Sequence, residues 1–130
     1  MEFHWKDYYD LAKELGERNE EAALRCAISR TYYAIYCSVL AEVKAKDNYS
    51  SPTANSHKAL WDYLNRYQDK KSKKLADYGR NLRKWRTSAD YEYEMPGSKL
   101  TSLENANDTW KQCKFKCEEA FKLLLQIFTT

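Results

Sequence analysis

The chain of 130 residues contains few residues that break helices, with only three glycines and two prolines. A β-sandwich or β-barrel of this length needs many tight turns, so the shortage argues against an all-β fold. No uncharged apolar run approaches about eighteen residues, so no membrane span is predicted. The first residues lack a basic stretch followed by an apolar run, so we expect no signal peptide and a cytoplasmic protein.

Most sequence signatures of enzymes are also missing. The chain has no glycine-rich phosphate loop, no G-x-S-x-G elbow and no H-E-x-x-H motif. Its two histidines are His4 and His57, and His57 lies on an apolar helix face, where we interpret it as a hydrogen-bonded core residue. The four cysteines form no C-x-x-C pair and are expected to be free, buried thiols. No metal site or cofactor is predicted.

Apolar residues recur at helical spacing through most of the chain and predict an all-α, up-and-down bundle of about five helices, in one domain spanning residues 1–130. The first helix is expected over about residues 5–15, with Gly16 ending it in the left-handed conformation. Asn19 is expected to cap the second, over about 20–45, whose apolar residues nearly all round predict a central position.

The later elements are marked by turn and cap residues. A third helix is expected from near Pro52 to about Tyr67, and the lysine-rich residues 70–74 are interpreted as a polar connector. Leu75, Leu82 and their neighbours at steps of three and four predict a fourth helix. Thr101 with Glu104 forms a capping-box pattern at the start of the fifth helix.

The net charge of +3 is unevenly distributed along the chain. Residues 1–21 carry seven acidic and three basic side chains, whereas residues 66–86 carry nine basic and two acidic ones. The basic stretch has two interpretations, a solvated helix face or a surface for an anionic partner such as nucleic acid. In the second case the phosphates would be guided by Lys70, Lys71, Lys73 and Lys74.

Arginines next to carboxylates are the second candidate feature. Arg30 lies among alanines on the predicted central helix, so we expect it to be buried and paired with an acidic side chain, Asp90 being the best candidate. Arg83, Arg86 and Asp90 follow at steps of three and four and, with the hydroxyl of Tyr91, form a candidate anion clamp. In the nucleic-acid-binding hypothesis, Arg30 joins these four residues in one polar cluster. The alternative is an Arg30–Asp90 or Arg86–Asp90 ion pair that only ties helices together.

Three motifs, in order, resemble the HEPN domain family. Residues 27–41 read A-I-S-R-T-Y-Y-A-I-Y-C-S-V-L-A and resemble the family's signature helix; residues 57–60 resemble its H-K-x-L segment, and residues 82–91 its L-x-x-x-R-x-x-A-D-Y segment. The resemblance implies a helical bundle that usually dimerises. Many members are RNA-cleaving toxins or defence effectors with a nucleotidyltransferase-like protein partner, and others bind nucleotides or partners only.

The chain departs from the ribonuclease members of that family. They carry an arginine followed, after four to six residues, by a histidine, and neither His4 nor His57 has an arginine at that spacing. Our first hypothesis is therefore a domain that binds RNA or a nucleotide, or processes it with a variant site, in a toxin–antitoxin or defence context. The alternative is a non-catalytic dimeric interaction module. Whether the chain is an enzyme is left open.

Overall fold

Five helices account for most of the chain, which confirms the predicted all-α bundle. The structure is a computed structural model and describes residues 2–67 and 69–128. No strand occurs in that part of the chain. The helices are α1 (Asp7–Gly16), α2 (Glu21–Asp47), α3 (Ser56–Asn65), α4 (Lys70–Tyr91) and α5 (Ser102–Phe128).

The second helix, α2, is central, as its apolar pattern predicts. It packs against α1, α4 and α5, while α3 packs against α4. Its branched side chains are fully enclosed because neighbouring helices cover it on several sides. These buried residues are Leu24, Ile28, Ile35, Val39 and Val43. The single buried cluster that they join contains residues from all five helices.

Two glycines allow helices to approach closely. A Cβ atom on Gly16 would lie 2.2 Å from the indole of Trp110, and one on Gly79 would lie 2.5 Å from the ring of Trp61. The predicted left-handed stop at Gly16 is wrong, because its φ is not positive and it forms the last residue of α1. What that position requires is the absence of a side chain, which lets α5 bring Trp110 against α1.

The observed helix ends confirm one predicted cap and contradict another. The capping box is confirmed: the Glu104 amide donates to Thr101 Oγ1 at 3.1 Å, and the Thr101 amide donates to Glu104 Oε2 at 3.4 Å. Asn19 does not cap α2, since Glu20 occupies the N-cap position without a side-chain hydrogen bond. The connector predicted over residues 70–74 is instead the first part of α4, capped by Asp69, whose carboxylate accepts from the Lys71 amide.

The four thiols are all free, but they differ in burial. Cys113 and Cys117 on α5 are completely buried, and burial raises the pKa of both. Cys37 is half-buried, with a pKa that is also raised by burial, and Cys26 is exposed, so the expectation of four buried thiols is wrong for Cys26. Within the described residues, no helix is both long enough and apolar enough to cross a membrane.

Candidate anion-binding site and basic face

Arg86 is the buried arginine of this protein. Helix α4 directs it toward α2, and only 8% of the residue is exposed. Its guanidinium carbon lies 5.4 Å from the ring centroid of Tyr33, 5.6 Å from that of Tyr32 and 5.9 Å from that of Tyr91. Contact between a guanidinium and aromatic faces is favourable and suits arginine better than lysine. We call Arg86, the three tyrosines and Asp90 the Arg86 site.

The guanidinium of Arg86 has few hydrogen-bond acceptors. Its Nη1 lies 3.6 Å from Asp90 Oδ2, an ion pair that exceeds hydrogen-bond length. The same carboxylate oxygen accepts a hydrogen bond from Ser29 Oγ at 3.1 Å, which ties it to α2. Arg86 Nε is buried and has no hydrogen-bond partner among the described residues. A guanidinium carries five N–H donors, so this site retains donor capacity for an anionic group.

Arg30 does not belong to this site, and its predicted pairing with Asp90 is wrong. The side chain is exposed, and its guanidinium lies 5.4 Å from the ring of Tyr8 on α1. No carboxylate of the described residues lies within 4.0 Å of it. The neighbouring Ala27 and Ala34 are fully buried, whereas the longer Arg30 chain extends along the ring of Tyr8 to reach solvent. On α2, Ser29 takes the place next to Asp90.

His57 joins the edge of the Arg86 site through Tyr32. The Tyr32 hydroxyl lies 2.6 Å from His57 Nδ1 and accepts from Trp61 Nε1 at 3.2 Å. Because Trp61 is only a donor, the hydroxyl is free to donate its own proton to Nδ1, which leaves the imidazole neutral. The ring also stacks on Tyr36, with centroids 4.1 Å apart. The interpretation of His57 as a hydrogen-bonded residue is therefore confirmed, although it is half-buried at the core's edge.

Electrostatics favours the neutral form of His57. Burial lowers the pKa of the imidazole, and the positive charges of Arg83 and Arg86 lower it further. Burial also raises the pKa of Tyr32 well above its usual value. The sequence motifs did not indicate that His57 and the two arginines, which lie on different helices, would come together. The spacing of Tyr32 and Tyr36, one helical turn apart toward α3, is the signal that could have indicated it.

Arg25 is a second residue that sequence reasoning missed. Its Nη1 donates to the carbonyls of Ala89 (3.0 Å) and Glu92 (2.6 Å), and its Nη2 donates to the carbonyl of Tyr93 (2.7 Å). Glu21 holds the same guanidinium at Nε, 2.8 Å away. Arg25 thus satisfies carbonyls at the end of α4, which otherwise lack partners, and fixes the segment that carries Tyr91. Side-chain-to-backbone contacts between residues far apart in the chain leave no pattern in a sequence.

Five exposed lysines of α4 and the half-buried Arg83 form a second group of cations. We call it the basic face and define it as Lys70, Lys71, Lys73, Lys74, Arg83 and Lys84. At a rise of about 1.5 Å per residue, its first lysines lie roughly 24 Å along the helix from Arg86. A groove of about 400 Å³ runs beside its C-terminal half; its lining residues are Arg80, Arg83, Lys84, Thr87, Ser88 and Glu92. Apart from Arg30, the predicted site residues therefore divide into two groups, the Arg86 site and the basic face.

The cation at Arg80 differs from those of the basic face because it is paired. Its Nη2 donates to Asp62 on α3 at 2.8 Å, and its Nη1 lies 3.5 Å from Asp77. None of the six basic-face cations lies within 4.0 Å of a carboxylate of the described residues. Tyr91, which was predicted to bind the same anion, is 75% exposed at the C-terminal end of α4.

The comparisons with known proteins add no relative. No protein-family model matches the chain, and neither a curated protein nor a solved structure matches it significantly. Within the described residues, no group of three or more histidine, cysteine, aspartate or glutamate side chains is placed to hold a metal ion. The resemblance to HEPN domains accordingly remains a prediction made from the three sequence motifs.

Proposed function

We propose that this chain is an RNA-binding domain of HEPN type, whose basic face contacts phosphate groups. The observation that carries the proposal is the set of six cations on α4 that have no carboxylate partner among the described residues. Unpaired cations along one helix create a positive potential that attracts a polyanion. They also release counterions when they neutralise phosphates, which supplies most of the affinity of non-specific binding.

The position of the lysines supports a binding role. Lys70, Lys71 and Lys73 lie in the first turn of α4, where the positive end of the helix dipole is unfavourable to cations. A placement that works against helix stability is more typical of residues that bind a ligand than of residues that stabilise a fold. The Arg86 site supports the proposal as well, because a recessed guanidinium with free donors suits a phosphate group of the RNA or of a nucleotide.

We propose binding without the usual HEPN ribonuclease mechanism. Arg86 and His57 lie on different helices, and the imidazole Nδ1 is already bonded to Tyr32. Because Nδ1 already accepts the Tyr32 hydroxyl, this atom is not free to take a proton as a general base would. Native protein incubated with RNA and a chelator should leave the RNA intact on a denaturing gel. Robust cleavage under those conditions would contradict this part of the proposal.

The proposed assembly is a homodimer in the cytoplasm, in a toxin–antitoxin or defence context with a nucleotidyltransferase-like partner. Exposed aromatic residues support self-association, since Phe3 is 53% and Phe115 is 61% exposed. Sedimentation should give twice the chain mass of 15.4 kDa. A species at the monomer mass at micromolar concentration would contradict it. The same aromatic residues favour the second candidate function, a non-catalytic interaction module, which predicts a dimer indifferent to RNA.

The test of RNA binding compares two variants with the same change in charge. One replaces Lys70, Lys71, Lys73 and Lys74 with glutamine; the other replaces four exposed lysines elsewhere, namely Lys44, Lys46, Lys111 and Lys114. The affinity for a fluorescent single-stranded RNA is measured by anisotropy at several salt concentrations. Each lost phosphate contact should reduce the log–log salt slope by about 0.7. We expect the reduction in the first variant only.

Equal slopes for the native protein and the first variant would overturn the role of these lysines. Equal reductions in both variants would show that only net charge matters, which contradicts a localised binding face. A native protein that does not bind RNA at low salt would overturn the proposed function and favour the interaction module.

A further inference from the structure

Lysine and aromatic side chains alternate along the boundary between α4 and α5. The Lys116 ammonium on α5 lies 5.3 Å from the ring centroid of Tyr78 and 5.7 Å from that of Trp85, both on α4. The Lys74 ammonium, also on α4, lies 5.7 Å from the centroid of the Tyr78 ring. We call Lys74, Tyr78, Trp85 and Lys116 the α4–α5 seam.

The seam is accessible from solvent. Lys74 is exposed, and the other three residues are half-buried. Neither lysine of the seam lies within 4.0 Å of a carboxylate of the described residues. Two acidic residues close in sequence to these lysines pair with other cations. Glu119 is paired with Lys122 at 3.1 Å, and Asp77 lies 3.5 Å from Arg80. The ammonium groups are therefore available to a ligand, and a base that stacks on either ring displaces the lysine that lies over it.

We propose that the α4–α5 seam binds single-stranded RNA, with bases stacked on Trp85 and Tyr78 and phosphates on Lys74 and Lys116. A single strand presents bases and phosphates in alternation, and its bases are free to stack on aromatic rings. A duplex keeps its bases stacked inside and offers only phosphates to the lysines. The inference rests on the proposed function, to which it adds the strandedness of the RNA and a second line of contacts beside the basic face.

A purely structural role for the seam makes a different prediction. The lysines could simply cover the faces of two half-buried rings through cation–π contacts. In that case, neutralising Lys116 would change neither RNA affinity nor its salt dependence. The two roles are separable because stacking contributes affinity that does not depend on salt, whereas phosphate contacts depend on it strongly.

The experiment measures binding of one short fluorescent RNA, single-stranded and annealed to its complement. The proteins are native, Trp85→Leu, Trp85→Phe, Lys116→Gln and, as the matched control on the α1 side of α5, Lys114→Gln. Circular dichroism and urea unfolding verify that each variant is folded. If Trp85→Leu does not fold, Trp85→Phe and Lys116→Gln still test the seam.

We expect native protein to prefer the single strand, and Trp85→Leu to lower that affinity by about fivefold or more with an unchanged salt slope. Trp85→Phe should lower the single-strand affinity less, because a ring remains for stacking. Lys116→Gln should reduce the salt slope by about 0.7, while Lys114→Gln should not. Duplex affinity should be insensitive to Trp85.

RNA binding that is equal for both strand forms and unaffected at Trp85 and Lys116 would overturn the seam while leaving the basic face intact. Absence of binding to either form would overturn the seam together with the proposed function. These two failures are thus distinguishable in one set of titrations.

Discussion

The two ends of α4 place arginine and lysine in opposite environments. At the C-terminal end, Arg86 is 8% exposed and lies among three tyrosine rings, so its position depends on α2 as much as on α4. At the N-terminal end, Lys70 and Lys71 are exposed and depend on nothing beyond their own helix. The residues of one charged stretch therefore contribute differently to stability. Substitution of the buried residue disturbs contacts with other helices, whereas the effects of substituting the exposed residues should simply add.

The largest expected effect is at Arg86. Replacement by alanine removes packing from between the rings and leaves Asp90 without its cation. A fully buried pair would cost about 3–5 kcal/mol when broken, and the partial exposure of Asp90 reduces the expected loss to about 2–3 kcal/mol. Urea unfolding measures it. Arg86→Met, which restores volume, should recover part of the loss, and Lys84→Ala should stay within about 0.5 kcal/mol. If the free energy of unfolding of Arg86→Ala equalled that of the native protein, the contrast between the two ends of α4 would be wrong.

A smaller loss is expected for Tyr32→Phe. The hydroxyl is bonded to both His57 and Trp61, so its removal leaves the buried Trp61 Nε1 and the half-buried His57 Nδ1 without this partner. The cost of such groups is about 1–3 kcal/mol. Tyr36→Phe is the matched control, because Tyr36 stacks on the same imidazole but its hydroxyl makes no hydrogen bond to the described residues. Equal stabilities of the two variants would contradict the role assigned to the Tyr32 hydroxyl.

The third prediction concerns pH and His57. Its pKa is lowered in the folded state by burial and then by Arg83 and Arg86, so the unfolded chain binds the proton more readily. The corresponding stability is present above the ordinary value of 6.5 and is lost as the pH falls through and below it. Urea unfolding at a series of pH values should show this decline in native protein and a weaker one in His57→Gln. Identical profiles would show that another group is responsible.

The smallest effect, of opposite sign, is expected at the lysines. Lys71→Gln removes a cation from the first turn of α4 and should raise the free energy of unfolding by about a few tenths of a kcal/mol. Lys84→Gln, in the middle of the same helix, should leave it unchanged. If Lys71→Gln destabilised the protein instead, the lysine would have a structural role, and the additive character assigned to the N-terminal end would be wrong.

The parts of the fold that could be predicted from the sequence depend on local pattern. The stripe from Leu24 to Val43 and the capping box of Thr101 and Glu104 repeat at fixed spacings, and both are confirmed. Residues 70–74 were misassigned because lysine composition suggests a connector, whereas the packing of Ser72 and Leu75 and the cap at Asp69 carry the helix through them.

The candidate site was predictable only in part. Arg86, Asp90 and Tyr91 share one helix, so their spacing alone brings them together. The pairing of Arg30 with Asp90 failed because spacing does not reveal which flank of α2 faces α1 and which faces α4. Contacts across helices, such as that between Tyr32 and His57, and side-chain-to-carbonyl bonds, such as those of Arg25, depend on the assembled bundle.

The unequal burial of the thiols gives the molecule a built-in chemical reporter. A thiol-specific reagent should modify exposed Cys26 first, while Cys113 and Cys117 are shielded between α5 and the rest of the core. Their raised pKa values also keep them protonated and unreactive until they meet water. The rate at which they become modified therefore measures how often α5 separates from the helices that it packs against, and this measurement needs no engineered probe.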